Sequence, residues 1–187
     1  NNSYLRQIEG KGQWEIVGDQ TEGALVVAGA KAGYQTEELE NRYPRLRELL
    51  FNSERKRMST IHRTPEGKEI LFSKGAPEQI LASCNSFRSN SKVLPLSQSQ
   101  KEKIIEQNNR LALEALRVLA VAYREIGPQE RENIVHKDKL DVDKMESGLT
   151  FLGLIAMIDS PREEAIEAVK ICRRAGIRPV MIPEDYK

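Results

Sequence analysis

Cysteine, net charge and long apolar runs are all scarce in this chain of 187 residues, and each scarcity removes a class of protein. The only cysteines are Cys84 and Cys172, with no CxxC pair and with His62 and His136 remote from both in sequence. A disulfide framework and a zinc site are therefore not expected, and the two thiols read as small buried apolar residues of a reducing compartment. Lysine and arginine number 29 against 28 acidic residues, so a net charge of +1 supplies no field to gather nucleic acid or anionic lipid. Any anion must be bound locally. The longest strongly apolar run, Phe151 to Ile158, falls far short of the roughly 20 residues a membrane-crossing helix needs, and residues 1–12 hold no apolar stretch resembling a secretory signal. Also missing are a phosphate-binding glycine loop, a GxGxxG, a Ser-His-Asp signal and clustered metal ligands, so acid-base catalysis is not assigned.

What is present is an ordinary globular mixture, 39% hydrophobic and 30% charged. The length permits one domain, or one domain with part of another. Trp14 to Val17 reads as a short strand, Gly18-Asp19-Gln20 as a turn, and Thr21 as the N-cap of a helix with Ala24, Leu25, Ala28 and Ala32 on one face and Gly33 as its C-terminal cap. A short polar helix over Glu37 to Tyr43 is stopped by Pro44. Arg47 to Phe51, Lys56 to Arg63 and Glu69 to Ser73 read as an antiparallel meander, with a turn at Thr64 to Gly67. Pro77 suits the first turn of a helix through about Cys84. Asn85 to Ser97, rich in serine and asparagine, reads as surface loop. Gln98 to about Leu116 follows as an amphipathic helix with Ile104, Ile105, Asn108, Leu111, Ala112 and Ala115 inward, and Leu116 to Tyr123 turns strand-like. Gly127 to Ser147 reads as loop with short helices.

The end differs in character. Thr150 to Ile158 is almost continuously apolar, Pro161 to Ala175 is helical with Ala165, Ile166, Val169 and Cys172 inward, and Ile177 to Ile182 is again strand-like. Continuous hydrophobicity suits a parallel strand covered on both faces, so this tail reads as a β-α-β piece of a parallel sheet. The expected fold is α+β: an antiparallel sheet flanked by helices over residues 1–148, and a β-α-β piece of a parallel α/β domain over 149–187.

Four segments could carry chemistry, each with a plain structural alternative. Phe51 between polar neighbours could stack on a base, or could be a core residue ending a strand. Arg55-Lys56-Arg57 could be no more than a solvated strand face. Lys74-Gly75-Ala76-Pro77-Glu78 sets an ammonium beside a glycine that permits close backbone approach, ahead of a helix N-terminus that favours anions; alternatively it is a strand-to-helix turn with an exposed lysine. Arg117 needs a partner if it faces inward, and none if it faces water.

In this order, Gly18-Asp19-Gln20-Thr21-Glu22-Gly23-Ala24-Leu25, Phe51-Asn52-Ser53-Glu54-Arg55-Lys56-Arg57-Met58-Ser59, Phe72-Ser73-Lys74-Gly75-Ala76-Pro77-Glu78 and Leu116-Arg117-Val118-Leu119-Ala120 resemble the nucleotide-binding domain of P-type cation-transporting ATPases, in particular the calcium-pump-like branch. Gly153 to Arg162 resembles the re-entry into that family's phosphorylation domain, so the likeness covers nearly the whole chain. The resemblance implies that Phe51 stacks on adenine, Glu22 bonds at the adenine edge, Lys56 and Lys74 line the pocket and meet the phosphates, Gly75 admits the backbone, and Arg117 reaches the phosphate chain with its planar fork of donors. Asp159 and Arg162 would belong to the hinge. It further implies ATP as ligand, with Mg2+ in the intact pump, and as partners the remaining phosphorylation, actuator and transmembrane domains of the same pump. Nucleic acid and direct membrane contact are not expected, and the chain is expected to be a soluble monomer, part of the cytoplasmic face of a membrane-bound pump.

Two departures matter. The family's phosphorylated aspartate lies in an Asp-Lys-Thr-Gly-Thr motif, whereas Asp138-Lys139 is followed here by Leu140; without that nucleophile no aspartyl-phosphate forms on this chain. The family's Thr-Gly-Asp near the chain end stands here as Pro183-Glu184-Asp185. The chain is thus expected to be an excised piece that binds ATP weakly, with a dissociation constant of roughly 0.1 to 1 mM, without completing a catalytic cycle. The readings set against this are a regulatory or interaction domain that keeps the fold without the nucleotide, and a small phosphatase, for which the tail offers no nucleophile.

Overall fold

A computed structural model describes residues 2–7, 14–135, 141–158 and 163–180. In chain order the strands are β1 (Tyr4–Gln7), β2 (Trp14–Val17), β3 (Arg45–Asn52), β4 (Arg57–Arg63), β5 (Glu69–Gly75), β6 (Cys84–Ser89), β7 (Lys92–Pro95), β8 (Arg117–Ile126) and β9 (Leu149–Met157). The helices are α1 (Gln20–Lys31), α2 (Thr36–Arg42), α3 (Pro77–Ser83), α4 (Gln98–Leu113), α5 (Pro128–Val135), α6 (Val142–Met145) and α7 (Glu163–Arg174). β1 and β2 form a small antiparallel ladder. The other strands make a seven-stranded sheet in the order β3-β4-β5-β8-β9-β6-β7.

Burial along β5 alternates at every residue, with Glu69, Leu71, Ser73 and Gly75 buried and Ile70, Phe72 and Lys74 partly open. This period of two shows a sheet with two different faces. On the first face Ile61, Leu71, Ala120 and Ala122 pack with Ile80 and Leu81 of α3 into the main core, together with Leu149 and Phe151. Fully burying one Leu or Ile stabilises by about 1.5–3 kcal/mol relative to leaving it in water, so this face dominates the stability of the sheet. The second face carries the residues of functional interest.

Several elements form where the sequence places them, and the differences have local causes. The N-cap of α1 is Asp19, not Thr21, because the Asp19 carboxylate accepts the Glu22 amide at 2.9 Å. Gly33 follows the helix at φ +87°, a conformation that costs glycine nothing. Asn85 to Ser97 is not a loop but contributes β6 and β7. Pairing decides this against composition: β6 lies parallel to β9, and Ser86 and Thr150 share a hydroxyl hydrogen bond of 2.8 Å across the pair. α4 opens with a capping box between Ser97 and Gln100 and stops at Leu113; Asn108 on its inner side is buried, whereas Ala112 and Ala115 are exposed.

The apolar run near the end also settles differently. β9 is hydrogen-bonded by β8 on one edge, antiparallel, and by β6 on the other, parallel. Its burial is uneven, with Leu149, Thr150 and Phe151 buried and Leu152 and Ala156 exposed, and it lies in the first of two compact units, Asn1–Met157. The second unit, Ile158–Lys187, contains α7, and residues 177–180 form no strand there. Asp159, Arg162, Ile182 and Pro183 to Asp185 lie outside the described residues. Cys84 is buried in the core, whereas Cys172 is half-buried rather than fully buried. No described helix is long and apolar enough to cross a membrane.

Candidate functional site

The open face of the sheet and α1 meet at an ion pair. β-strand register aligns Met58, Lys74 and Val121 across β4, β5 and β8, and the next rung holds Thr60, Phe72 and Tyr123. Above them the first turn of α1 brings in Glu22, whose Oε1 accepts from Lys74 Nζ at 2.8 Å, each side chain 16% exposed. The Asn2 amide donates to Glu22 Oε2 at 2.5 Å. Burial pushes the Glu22 carboxyl up, but the hydrogen bonds from Lys74 and Asn2 outweigh it and hold the group below its ordinary 4.5. Beneath this pair lies a cavity of about 280 Å³ lined by Leu25, Met58, Thr60, Phe72, Lys74, Val121 and Ile155. A larger space of about 550 Å³ continues from it between α1, α2 and the same face, sharing Leu25 and Phe72 and walled by Tyr34, Tyr43, His62 and Tyr123.

Two turns close one end of this face. After β3, Asn52 folds the chain back: its side chain accepts from the Glu54 amide at 2.7 Å and the Arg55 amide at 3.2 Å, and its carbonyl accepts from Lys56 N at 2.7 Å. Lys56 takes φ +48° to complete the turn. Its carbonyl then accepts from Ala76 N at 2.9 Å, which ties this turn to the one after β5. A Cβ at Gly75 would stand 2.4 Å from the Lys56 oxygen, so only glycine allows the two backbones this approach. Pro77 occupies the first position of α3, as its fixed φ favours.

The candidate residues are thus distributed as follows. Glu22 contacts Lys74, and Lys56 contacts Gly75 and its neighbour. Phe51, next to last in β3, is 64% exposed, which rules out the core-residue alternative. Arg117 begins β8 and is exposed, in register with Met157. Two strands separate Phe51 from Arg117 in the sheet order, and the rung of Asn52, Arg57 and Gly75 reaches β8 at Ala120 rather than at Arg117, so the structure does not bring the two side by side.

Within the basic cluster Arg55 and Arg57 are half-buried and turned to a carboxylate, whereas Lys56 between them is exposed. Arg55 Nη1 and Arg57 Nε both donate to Glu146 Oε2, at 2.5 and 2.7 Å, and Ser59 Oγ donates to Glu146 Oε1 at 2.7 Å. Glu146 is wholly buried. It comes from the polar stretch before β9, where no periodicity marks it, and sequence reasoning misses it. Leu25 and Met58 appear in the sequence motifs but not as candidate site residues, and Thr60 is not singled out; for Met58 and Thr60 the alternation of β4 was the available signal. Among the described residues no three His, Cys, Asp or Glu side chains gather to hold a metal ion.

Residues 1–164 match the family described as P-type ATPase, cytoplasmic domain N. The chain is 38% identical over 170 residues to calcium-transporting ATPase 1 of Bacillus cereus, covering 91% of the chain and 18% of the relative. It is 35% identical over 186 residues to a calcium-transporting ATPase of Bacillus subtilis, covering 100% of the chain and 20% of the relative. It is 37% identical over 186 residues to a sodium/potassium exporting P-type ATPase of Schizosaccharomyces pombe, covering 100% of the chain and 17% of the relative. The chain therefore spans about a fifth of the length of these relatives.

Proposed function

The chain belongs to the P-type cation-transporting ATPases as their cytoplasmic domain N, and from that premise we propose that it binds ATP and presents it to a phosphorylatable aspartate carried elsewhere in the pump. The observation that supports this most is the meeting of Glu22 and Lys74, 52 positions apart in sequence, at the rim of a cavity with an apolar floor. Apolar walls with a few placed polar groups suit a nucleobase. In this reading adenine enters beside the pair, with Glu22 at its edge and Phe51 stacked on one face. Exposed Phe51 is free to do so, at roughly 1–3 kcal/mol. Lys56, Lys74 and the fork of Arg117 supply positive charge for the phosphates, and the glycine at position 75 serves the site by letting the turn that bears Lys56 pack against the end of β5. Magnesium would arrive complexed to the phosphates.

The remaining phosphorylation, actuator and membrane domains of the pump are the partners in this proposal, and the chain faces the cytoplasm. Calcium is the proposed ion, taken from the names of the two bacterial relatives; the yeast relative is named for sodium and potassium.

The test is an NMR titration with ATP, magnesium-ATP and GTP on wild type, Phe51→Ala and Lys74→Ala. Saturable shifts at Phe51, Lys56 and Gly75, with a dissociation constant of roughly 0.1–1 mM that weakens in both variants, support the reading. No shift at several millimolar ATP would instead indicate an interaction domain that kept the fold without the ligand.

A further inference from the structure

Resting on that nucleotide reading, we infer that Glu146 is a positioning residue, which holds Phe51 and Lys56 in place for the ligand without touching it. One carboxylate collects donors from three alternate residues that leave the turn. Arg55 Nη1 and Arg57 Nε share Oε2, and Ser59 Oγ takes Oε1.

Each of these donors has a second engagement, and those fix the geometry. Arg55 Nη2 donates to the Leu50 carbonyl at 2.8 Å, immediately before Phe51. Arg57 Nη1 donates to Ser83 Oγ of α3 at 2.9 Å. Ser59 Oγ meets Ser73 Oγ at 2.9 Å, one residue before Lys74. The end of β3, the turn bearing Lys56, the start of β4, the end of β5 and α3 are therefore referred to a single buried point.

Stability alone does not call for such a point. A buried carboxylate gives up its hydration, and well-packed apolar side chains in place of an ion cluster often stabilise as much or more. Two guanidiniums with planar, directional donors instead fix angles and distances. The turn they hold needs this, because Lys56 adopts a left-handed φ of +48° that a non-glycine residue keeps only when its surroundings impose it.

Coupling is the measurement that separates positioning from general stabilisation. ATP affinity is measured for wild type, Glu146→Gln, Lys56→Ala and the double variant, with thermal unfolding confirming that each is folded. Glu146→Gln is expected to weaken ATP by about three- to tenfold, and the loss caused by Lys56→Ala in wild type is expected to shrink or vanish in the Glu146→Gln background. Equal Lys56→Ala losses in both backgrounds, or unchanged affinity in folded Glu146→Gln, would overturn the inference. If Glu146→Gln does not fold, Arg55→Lys on the turn carries the same cycle, because it keeps the charge and loses the fork that joins Glu146 to Leu50. Failure of wild type itself to bind ATP would refute the nucleotide reading and this inference together. Binding in wild type with additive losses refutes this inference alone.

Discussion

Lys74, at the open end of β5, donates to Glu22 in the first turn of α1 across 2.8 Å, and so joins the sheet to the helix that roofs its open face. Two residues proposed to contact one nucleotide thus satisfy each other. Lys74→Ala removes a phosphate partner and is expected to weaken ATP by roughly three- to tenfold, the size of one charge-assisted contact. Calorimetry or NMR titration reads this directly, and an unchanged constant would remove Lys74 from the site. The pair also predicts acid sensitivity. Glu22 titrates below its ordinary 4.5 in the folded chain. Its contribution is therefore complete above about 4.5 and is lost as pH falls through the lower folded value.

Gly75 and Gly29 give opposite expectations for the same substitution. Gly75→Ala drives a methyl to 2.4 Å from the Lys56 carbonyl and 2.7 Å from Arg57 Cα, both backbone atoms that cannot swing away. A loss of about 1–3 kcal/mol is expected, together with displacement of the Lys56 turn. Gly29 lies inside α1, and a methyl added there would meet no atom within 4 Å. Gly29→Ala is expected to gain about 0.5–1 kcal/mol from helix propensity. Urea unfolding of the two variants beside wild type decides both, and equal behaviour would contradict the close-approach argument.

The contrast between these glycines also shows what the sequence could disclose. Lys74-Gly75-Ala76-Pro77 carries its local geometry in its residue types: glycine for close approach, proline for a helix start. The meander before it is legible because side chains alternate with a period of two. Glu146 is not legible, since its role depends on arginines 91 and 89 positions away and nothing nearby marks it as buried. β6 and β7 were hidden for a similar reason. Their serine- and asparagine-rich composition suits a loop, and only the distant partner β9 turns Cys84–Ser89 into a strand. β9 itself was legible as a strand but not as a strand between β8 and β6 with Leu152 exposed, because an apolar run names neither its neighbours nor the face that stays open.

The two thiols are expected to differ in reactivity. Cys84 sits in the core at 3% exposure, and burial pushes its pKa up to about 12, so neither access nor thiolate is available near neutral pH. Cys172, on α7, is half-buried. Iodoacetamide on the native chain, followed by peptide mass mapping, is expected to label Cys172 and to reach Cys84 only in denaturant. Equal labelling of both in the native chain would show that the core around Ile80, Leu81 and Leu149 opens readily.

His62 gives a pH dependence of its own, separate from that of the carboxylates. It stands edge-on to Phe72 with ring centroids 5.9 Å apart, and Nδ1 lies 2.8 Å from the Tyr43 carbonyl. Burial pulls its pKa below the ordinary 6.5, the Tyr43 carbonyl opposes this, and Arg45 adds to the lowering. Below 6.5 the unfolded chain therefore binds a proton that the folded chain does not yet accept. The sign follows: the contribution of neutral His62 is complete above about pH 6.5 and is lost as pH falls toward the lower folded value. Urea midpoints measured across this interval should decline for wild type and decline less for His62→Gln, which keeps a donor for Tyr43 but cannot ionise. Glu22, Glu66 and Glu130 also titrate below their ordinary 4.5, so they act at more acid pH than His62. Parallel slopes for the two proteins would mean that His62 is as easily protonated folded as unfolded, and that the space beside Phe72 is wetter than its apolar walls suggest.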